Sequence, residues 1–357
     1  MIRTAEMHTA GADHRAVPPA EPASRGAVLV TGASSGIGRA TALSLARAGF
    51  STFGAVRADT DGATLTSDSN GAVRPVCLDV TDPEQIHTVT DLLTRELGAR
   101  GLAGLVNNAG IGLTGPLELL SLDRFRELME VNLVGPLALT QALLPLLRVG
   151  HGRVVNIGSV GGRIAMPFAG PLNASKYALA ALNDALRMEL APWHVDVVLV
   201  EPASITTRAV DTLAADVDVT IEGFPPERRP LYEHRYRTMV GRAVARERRG
   251  SPPKVVADAV LTALSASRPA TRYPVGKDAR VLLTAARLLP DRLLDRLRLR
   301  ALGLSAPVRA RNRGPRRRHP MPSKRPACRP RVHVESLAAT RPPTSVTTPE
   351  ENLCTTD

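Results

Sequence analysis

Short runs of β-branched and other apolar residues alternate with longer segments of helical periodicity between residues 26 and 304. Continuously apolar strands are buried on both faces, and helical crossovers between them make neighbouring strands parallel. The pattern therefore predicts an α/β domain with a doubly wound, seven-stranded parallel sheet and helices on both faces. The predicted strands span residues 26–32, 51–57, 72–80, 104–110, 152–159, 195–202 and 271–276. The predicted helices span residues 36–48, 83–97, 121–148, 171–190, 253–267 and 278–302.

The alternation defines one domain, residues 26–304, with a different composition at each end. Residues 204–250 interrupt the pattern with many charges and predict a mobile flap over the sheet edge, where it would shape a substrate pocket. Residues 1–25 are expected to be a disordered extension. Residues 305–357 are rich in proline and arginine, and we expect a disordered basic tail because such a segment buries too little apolar surface to fold.

The net charge of +12 raises the question of an anionic partner. Residues 305–357 hold 11 Lys/Arg against 4 Asp/Glu, so most of the excess lies in the tail. Nucleic-acid or membrane contact by this tail is one interpretation. A solvated tail is favoured, because the segment has no aromatic residue on which bases could stack.

Cysteine usage and hydropathy indicate the compartment. Cys77, Cys328 and Cys354 are too few and too scattered for a disulfide framework, and no Cys/His cluster has metal-ligand spacing. No segment has the apolar run of a secretion signal or of a membrane span. We therefore expect a cytoplasmic protein without a structural metal.

A glycine-rich turn directly follows the first predicted strand and opens the first predicted helix. Gly32, Gly36 and Gly38 allow a tight turn and a close approach of the backbone to a diphosphate. The amide groups and the dipole at the helix N-terminus favour such an anion. A simple strand-to-helix turn is the alternative, but the order of strand, turn and helix favours a dinucleotide site.

Arg57 ends the second predicted strand, where an acidic residue would bind the ribose 2′-hydroxyl of NAD(H). A guanidinium suits a 2′-phosphate better than a hydroxyl, so NADP(H) is favoured over NAD(H). Asp59 or Asp61 could still reach a hydroxyl, and Arg57 could simply be solvated.

Six motifs follow in order: TGASSGIG at 31–38, LDVTD at 78–82, NNAG at 107–110, VNLVG at 131–135, Ser159 in NIGSVGG, and ASKYAL at 174–179. With them, residues 25–300 resemble the short-chain dehydrogenase/reductase family and its Rossmann-type fold. GAVR and SKYAL look closest to members that act on retinoids, steroids or other lipophilic alcohols and ketones.

The resemblance implies a role for each matching residue. Asp79 would contact the adenine edge, Asn132 would belong to a proton relay, Ser159 would hold the substrate oxygen, and Lys176 would bind the nicotinamide ribose. Alternatively, Asn132 satisfies helix backbone groups, Ser159 caps a strand end, and Lys176 is an exposed helix residue. The cofactor-binding positions implied are Gly32, Ser34, Ser35, Gly36, Ile37, Gly38, Arg57, Asp79, Val80, Asn107, Ala109, Gly110, Lys176 and Pro202.

Leu172 departs from the family's pattern at its most important position. The family has a tyrosine 13 residues after the serine and four before the lysine, and both spacings lead to position 172. Leucine has no proton to exchange with a substrate oxygen. A second departure is Pro202-Ala203 in place of the family's usual Pro-Gly, and the resemblance implies that the added methyl group would narrow the passage beside the nicotinamide.

Two substitutes for the missing phenol are conceivable. Tyr177 is turned by about 100° from Lys176 on the helix, so we expect its ring to point away. Lys176 acting through a water molecule is favoured over Tyr177. The leading hypothesis is thus an impaired NADP(H)-dependent oxidoreductase of lipophilic alcohols or ketones. The competing hypothesis is a catalytically silent NADP(H)-binding protein that acts as a sensor or partner subunit.

Two helical segments have surface patterns that predict contacts beyond the cofactor site. Ala174, Ala178 and Ala181 form a smooth stripe on helix 171–190, and the family commonly forms homo-oligomers through this helix and helix 121–148; internal packing is the alternative. Residues 281–304 combine leucine pairs with arginines at helical spacing. They form either a lid over the substrate cleft, which we favour, or an amphipathic helix on a membrane surface.

Overall fold

Seven strands form one sheet in the computed structural model, which describes residues 25–305. They are β1 (Ala27–Val30), β2 (Ser51–Val56), β3 (Val73–Cys77), β4 (Gly104–Asn107), β5 (Arg153–Ile157), β6 (Asp196–Pro202) and β7 (Arg272–Val275). All neighbours pair in parallel, in the order β3-β2-β1-β4-β5-β6-β7. The seven-stranded parallel sheet is confirmed. The predictions for residues 1–24 and 306–357 lie outside the described residues.

Twelve helices surround this sheet in the described part of the chain. They are α1 (Gly36–Arg47), α2 (Asp59–Asp68), α3 (Pro83–Leu97), α4 (Leu122–Met129), α5 (Gly135–Val149), α6 (Gly170–Leu190), α7 (Arg208–Ala215), α8 (Val217–Glu222), α9 (Arg229–Glu247), α10 (Lys254–Ser265), α11 (Ala279–Leu288) and α12 (Asp291–Ala301). The sequence pattern predicts α1, α3, α6 and α10 closely. It does not predict α2, because the sequence DTDGATLTSD consists largely of weak helix formers.

The sheet separates two apolar cores, as expected for strands buried on both faces. Leu29 of β1 packs on one side with Leu139 and Leu143 of α5. Its neighbours Val28 and Val30 pack on the other side with residues of α1 and α10. The strand order reverses between β1 and β4, and the crevice at their carboxyl ends is where a doubly wound sheet binds its ligand.

The predicted helix 121–148 is interrupted by a π-helical turn at residues 130–134, between α4 and α5. Pro136 has no amide hydrogen to continue the regular α-helical pattern, and π-turns of this kind occur frequently at functional sites. The whole stretch Leu122–Val149 has the length and hydropathy of a membrane span. Its leucines Leu139, Leu143 and Leu147 are buried against the sheet, as in the core helix of a globular domain.

The predicted helix 278–302 is also divided, at Leu289–Pro290. Proline disfavours the helical conformation of the residue before it, and Leu289 has the extended angles φ −90° and ψ 139°. The chain then resumes as α12.

The flap, residues 204–250, consists mainly of helices α7, α8 and α9 rather than of irregular chain. Tyr236, Met239, Val240 and Val244 of α9 recur at helical spacing on its buried side. They form a third apolar core together with Phe224. The many arginines of α9 hide this periodicity in the sequence.

Candidate functional site

The glycine turn after β1 has room for backbone only. A Cβ atom on Gly38 would lie 2.1 Å from the carbonyl oxygen of Gly32 and 2.4 Å from Nδ2 of Asn108. Gly32 and Gly36 have φ angles of +65° and +53°, which glycine adopts without strain. The turn therefore has no space for a side chain at Gly38, and a side chain at Gly32 or Gly36 would strain the backbone.

The N-terminus of α1 has no internal anion partner. Ser35 occupies the N-cap position, but its side chain forms no capping hydrogen bond, and no acidic residue stands in the first turn. The first amide groups of a helix need acceptors, and a diphosphate supplies them. The region Ser34, Ser35, Gly36, Ile37 and Gly38 thus fits the diphosphate of a dinucleotide.

Asn108 and Thr31 hold this turn in place, a role that the sequence pattern does not predict. Nδ2 of Asn108 donates to the carbonyl oxygens of Thr31 (2.8 Å) and Gly32 (3.2 Å). Oγ1 of Thr31 accepts from the amides of Asn108 and Ala109, both at 2.9 Å. These bonds join the ends of β1 and β4, so Ala109 and Gly110 lie at the crevice.

Asn107 points elsewhere. Its side chain is buried and donates to Oγ1 of Thr140 (3.1 Å) and Oδ1 of Asn156 (2.9 Å). Asn156 in turn donates to Asn183 on α6 (3.0 Å). This buried amide chain ties β4, β5 and helices α5 and α6 together, so the Asn107 side chain supports the crevice from within the fold.

Arg57 and Asp79 lie near each other after β2 and β3. Hydrogen bonds from the backbone and the hydroxyl group of Thr81 lower the pKa of Asp79, and the charge of Arg57 lowers it further, against the effect of burial. Val80 is buried beside them. Within residues 25–305 the exposed Arg57 guanidinium forms no hydrogen bond or ion pair, so it is available to an anionic ligand.

Asp59 and Asp61, the acidic alternatives to Arg57, occupy the first turn of α2. Carboxylates stabilise a helix at that end, because they oppose the positive end of its dipole. This local role accounts for both aspartates without a ligand.

Asn132 lies in the π-turn, and its side chain forms three hydrogen bonds to other residues of the protein. Its Oδ1 accepts from the amide of Ile111 (2.8 Å), and its Nδ2 donates to the Ile111 carbonyl oxygen (3.0 Å) and to Oγ of Ser175 (3.1 Å). The residue thereby fixes the loop after β4 to α6. A relay through Asn132 would have to use its backbone.

Ser159 and Lys176 belong to two elements that pack closely together. Ser159 directly precedes the turn Val160–Gly162, and Lys176 lies on α6. The turn Val160–Gly162 packs on α6, and a Cβ on Gly162 would lie 2.7 Å from the Lys176 carbonyl oxygen. Oγ of Ser159 accepts from the Gly161 amide at 2.9 Å, which leaves its hydroxyl hydrogen for a ligand. Asn173, also missed in the sequence, secures this turn by donating to the Gly161 carbonyl oxygen at 2.9 Å.

Lys176 carries a strongly desolvated ammonium group. Its Nζ donates to the carbonyl oxygen of Ile157, at the end of β5, at 2.8 Å. Burial lowers the pKa of Lys176 from 10.5 to about 8, because a charged amine is poorly solvated there. Two further ammonium hydrogens have no acceptor among residues 25–305, which fits the hydroxyls of a nicotinamide ribose.

Leu172 stands in the first turn of α6, one turn before Lys176, and its side chain is half-buried. Tyr177, the neighbour of Lys176, is 43% exposed. Its orientation agrees with the expected turn of the helix away from the lysine. The described site therefore contains Ser159 and Lys176, but it has a leucine instead of a tyrosine at position 172.

An apolar cluster borders this end of the sheet. Phe168, from the loop after β5, packs edge-on against Tyr236 with the ring centres 5.8 Å apart. The hydroxyl of Tyr236 is hydrogen-bonded to Thr114, in the loop after β4, at 2.8 Å. The flap thus contacts the loops that follow β4 and β5, and its buried side is largely hydrocarbon.

The passage beside Pro202 is tightly packed. Pro202 ends β6, and the buried Ala203 donates its amide to the Val275 carbonyl oxygen at 2.9 Å. Ser204 then adopts φ +48°, an angle rare for a residue other than glycine. The methyl group of Ala203 is therefore buried in a packed segment, and a strained residue follows it.

Comparison with known proteins agrees with this geometry. The sequence model of short chain dehydrogenases matches residues 26–218. Retinol dehydrogenase 5 of Mus musculus is 35% identical over 285 residues, which cover 77% of this chain and 88% of that protein.

Two crystal structures have the same fold. A short-chain dehydrogenase from Streptomyces avermitilis is 30% identical, with a TM-score of 0.62 over 78% of this chain and 95% of its own. One from Burkholderia cenocepacia, in complex with NADP, is 27% identical, with a TM-score of 0.58 over 80% and 99%. The chain therefore belongs to the short-chain dehydrogenase/reductase family of oxidoreductases, which share the Rossmann-type fold and bind a nicotinamide cofactor.

Proposed function

We propose that the protein interconverts a lipophilic alcohol and its ketone or aldehyde with NADP(H), at a rate reduced by Leu172. The observation that carries this proposal is the placement of Ser159 and the desolvated Lys176 beside a cofactor crevice, with leucine one turn before the lysine. General acid–base assistance is worth about 10² to 10⁴ in rate. This range corresponds to about 3 to 5.5 kcal/mol of barrier.

The apolar cluster under the flap supports a lipophilic substrate. Phe168 and Phe224 both pack edge-on against the buried Tyr236, so the inner side of the flap is hydrocarbon next to the loops after β4 and β5. The 35% identity to retinol dehydrogenase 5 supports the same substrate class.

Each polar residue has a distinct part in this proposal. The bound nicotinamide supplies or accepts the hydride. The free hydroxyl hydrogen of Ser159 holds the substrate oxygen. The Lys176 ammonium delivers the proton through a water molecule admitted beside Leu172, because a group with a pKa near the working pH exchanges protons readily.

This proton route predicts a pH dependence. The pKa of Lys176 is about 8, so the ammonium form that donates the proton is complete well below pH 8 and is lost above it. With saturating NADPH, kcat for ketone reduction should be constant near pH 6 and fall about tenfold per pH unit above about 8. Lys176→Arg cannot release a proton in this pH range, so its rate should be lower than that of the wild-type chain and should not show this fall; a fall that persists in that variant would contradict the route.

We propose NADP(H) rather than NAD(H) as the cofactor because of Arg57. Its guanidinium is unpaired within residues 25–305, whereas the nearby Asp59 and Asp61 are explained by the N-terminus of α2. The Burkholderia cenocepacia structure in complex with NADP supports this choice.

The Arg57→Ser variant should bind NADPH about 10- to 100-fold more weakly, because a hydrogen bond to a charged group contributes about 1.5–3 kcal/mol. Its NADH affinity should stay within about twofold. Calorimetric titration of both variants with both cofactors measures this, with Asp59→Asn as the control. A loss of NADH affinity in Asp59→Asn would instead assign NAD(H) to the site.

A silent NADP(H)-binding protein, acting as a sensor or partner subunit, is the second candidate. Leu172 favours it, since the cofactor crevice is complete without a tyrosine. The Leu172→Tyr variant, which restores the phenol, distinguishes the two candidates. An impaired enzyme should gain turnover in this variant, and a silent binding protein should not.

We also propose a homo-oligomer in the cytoplasm. A groove between α5 and α6 is lined by Leu137, Leu144, Leu182, Leu186 and Trp193, and Met188 is exposed on α6. Apolar grooves of this kind suit a second helix pair. The free, exposed thiol of Cys77 fits a reducing compartment. Sedimentation equilibrium of the purified chain tests the assembly, and a monomer at all concentrations would refute it.

A further inference from the structure

Helices α11 and α12 repeat one pattern on their exposed sides. An arginine is followed directly by an apolar residue in the pairs Arg280–Val281, Arg287–Leu288, Arg292–Leu293 and Arg296–Leu297. The four apolar side chains are 70%, 71%, 42% and 48% exposed, respectively. Residues four or seven positions apart share a helix face, so each helix has an arginine stripe beside an apolar stripe.

The inner side of the same region is anchored in the fold. Leu294 is buried, and Leu302 and Leu304 belong to the apolar core of the flap. From α9, Arg235 donates to the Leu304 carbonyl oxygen (3.1 Å) and Arg242 to that of Ala301 (3.3 Å). The expected lid over the substrate cleft stays a prediction. The outer apolar stripes are unaccounted for by packing within residues 25–305.

Charge narrows the choice of partner for these outer stripes. Residues 279–301 contain six arginines and two aspartates, a net charge of +4. Of the aspartates, Asp295 already pairs with Arg298 at 3.3 Å. Arg280, Arg287, Arg292, Arg296 and Arg300 form no ion pair within residues 25–305. The partner is therefore anionic, and a second copy of this surface would be repelled.

An anionic bilayer satisfies both stripes at once. Its phosphates attract arginines, and its acyl region takes up exposed leucines. A nucleic acid would satisfy only the arginines, and residues 279–301 contain no aromatic side chain on which bases could stack.

We propose that the outer side of α11 and α12 is a docking surface for an anionic phospholipid bilayer. Val281, Leu288, Leu293 and Leu297 enter the boundary of the acyl chains, while the arginine stripes contact headgroup phosphates. Attachment of this kind is peripheral and reversible, and it does not depend on the proposed enzymatic activity.

Vesicle co-sedimentation of the full chain tests the proposal. The wild-type protein should bind vesicles that contain phosphatidylglycerol at least about tenfold more tightly than pure phosphatidylcholine. The Leu293→Ser/Leu297→Ser variant should lose at least about tenfold in this affinity, and so should a variant with Arg292, Arg296 and Arg300 changed to Gln. All substituted side chains are exposed, so the melting temperature should not change.

The matched control replaces Arg47, Arg95 and Arg268 with Gln. It removes the same charge from exposed positions outside α11 and α12, and its affinity should stay within about twofold of wild type. Three results would overturn the proposal: equal binding to both kinds of vesicle, unchanged binding in the α12 variants, or loss of all binding on removal of residues 306–357 alone.

Discussion

The Leu172→Tyr variant is expected to reduce lipophilic ketones at least about 100-fold faster than the wild-type chain. The new phenol would stand one helical turn before Lys176, whose ammonium lowers the pKa of a neighbouring hydroxyl and so prepares it to exchange a proton. The measurement is kcat with saturating NADPH over a panel of retinoid, steroid and other lipophilic ketones.

Leu172→Phe is the matched control for this variant. It introduces the same ring without a hydroxyl group, so it should not raise the rate, and NADPH affinity should be similar in all three proteins. Equal and substantial rates in wild type and Leu172→Tyr would mean that another group supplies the proton. No turnover in a Leu172→Tyr protein that binds NADPH would favour the silent binding protein.

The Gly38→Ala variant should bind NADPH about 10- to 100-fold more weakly than wild type. The added methyl group would lie 2.1 Å from the Gly32 carbonyl oxygen, so the turn or the start of α1 must shift. Overpacking of this kind costs about 1–3 kcal/mol, and the shift moves the amides that face the diphosphate.

Gly241→Ala on α9 is the control for Gly38→Ala. A Cβ on Gly241 meets no atom within 4 Å, and alanine favours a helix, so this variant should keep wild-type affinity and stability. Unchanged NADPH affinity in a folded Gly38→Ala protein would show that the cofactor does not use this turn.

The sheet could be predicted from the sequence because each strand is a local apolar run whose two faces are both buried. Val28, Leu29 and Val30 point alternately into different cores, and hydropathy alone indicates this arrangement. The glycine turn could also be predicted, because a tight turn between a strand and a helix depends on short spacings. The roles of Ser159 and Lys176 were implied only by the resemblance to short-chain dehydrogenases and stay predictions. The Leu172 position follows from two such spacings that agree.

Other features depend on contacts that a linear pattern does not show. Asn108 and Asn173 hold loops through hydrogen bonds to backbone atoms, and only the folded chain brings those atoms together. The apolar spacing of α9 was readable from Tyr236 to Val244, but the charges around it concealed a helix. The break at Leu289–Pro290 had a clear signal in the proline itself.

Titration calorimetry of the folded wild-type protein with NADPH and with NADH tests the central claim most directly. The claim is that the amide groups in the first turn of α1, which begins at Gly36, bind the diphosphate of a dinucleotide. We predict a saturable heat for NADPH with one site per chain and a weaker response to NADH. No heat from either cofactor up to millimolar concentration would contradict the account, whichever residue occupies position 172.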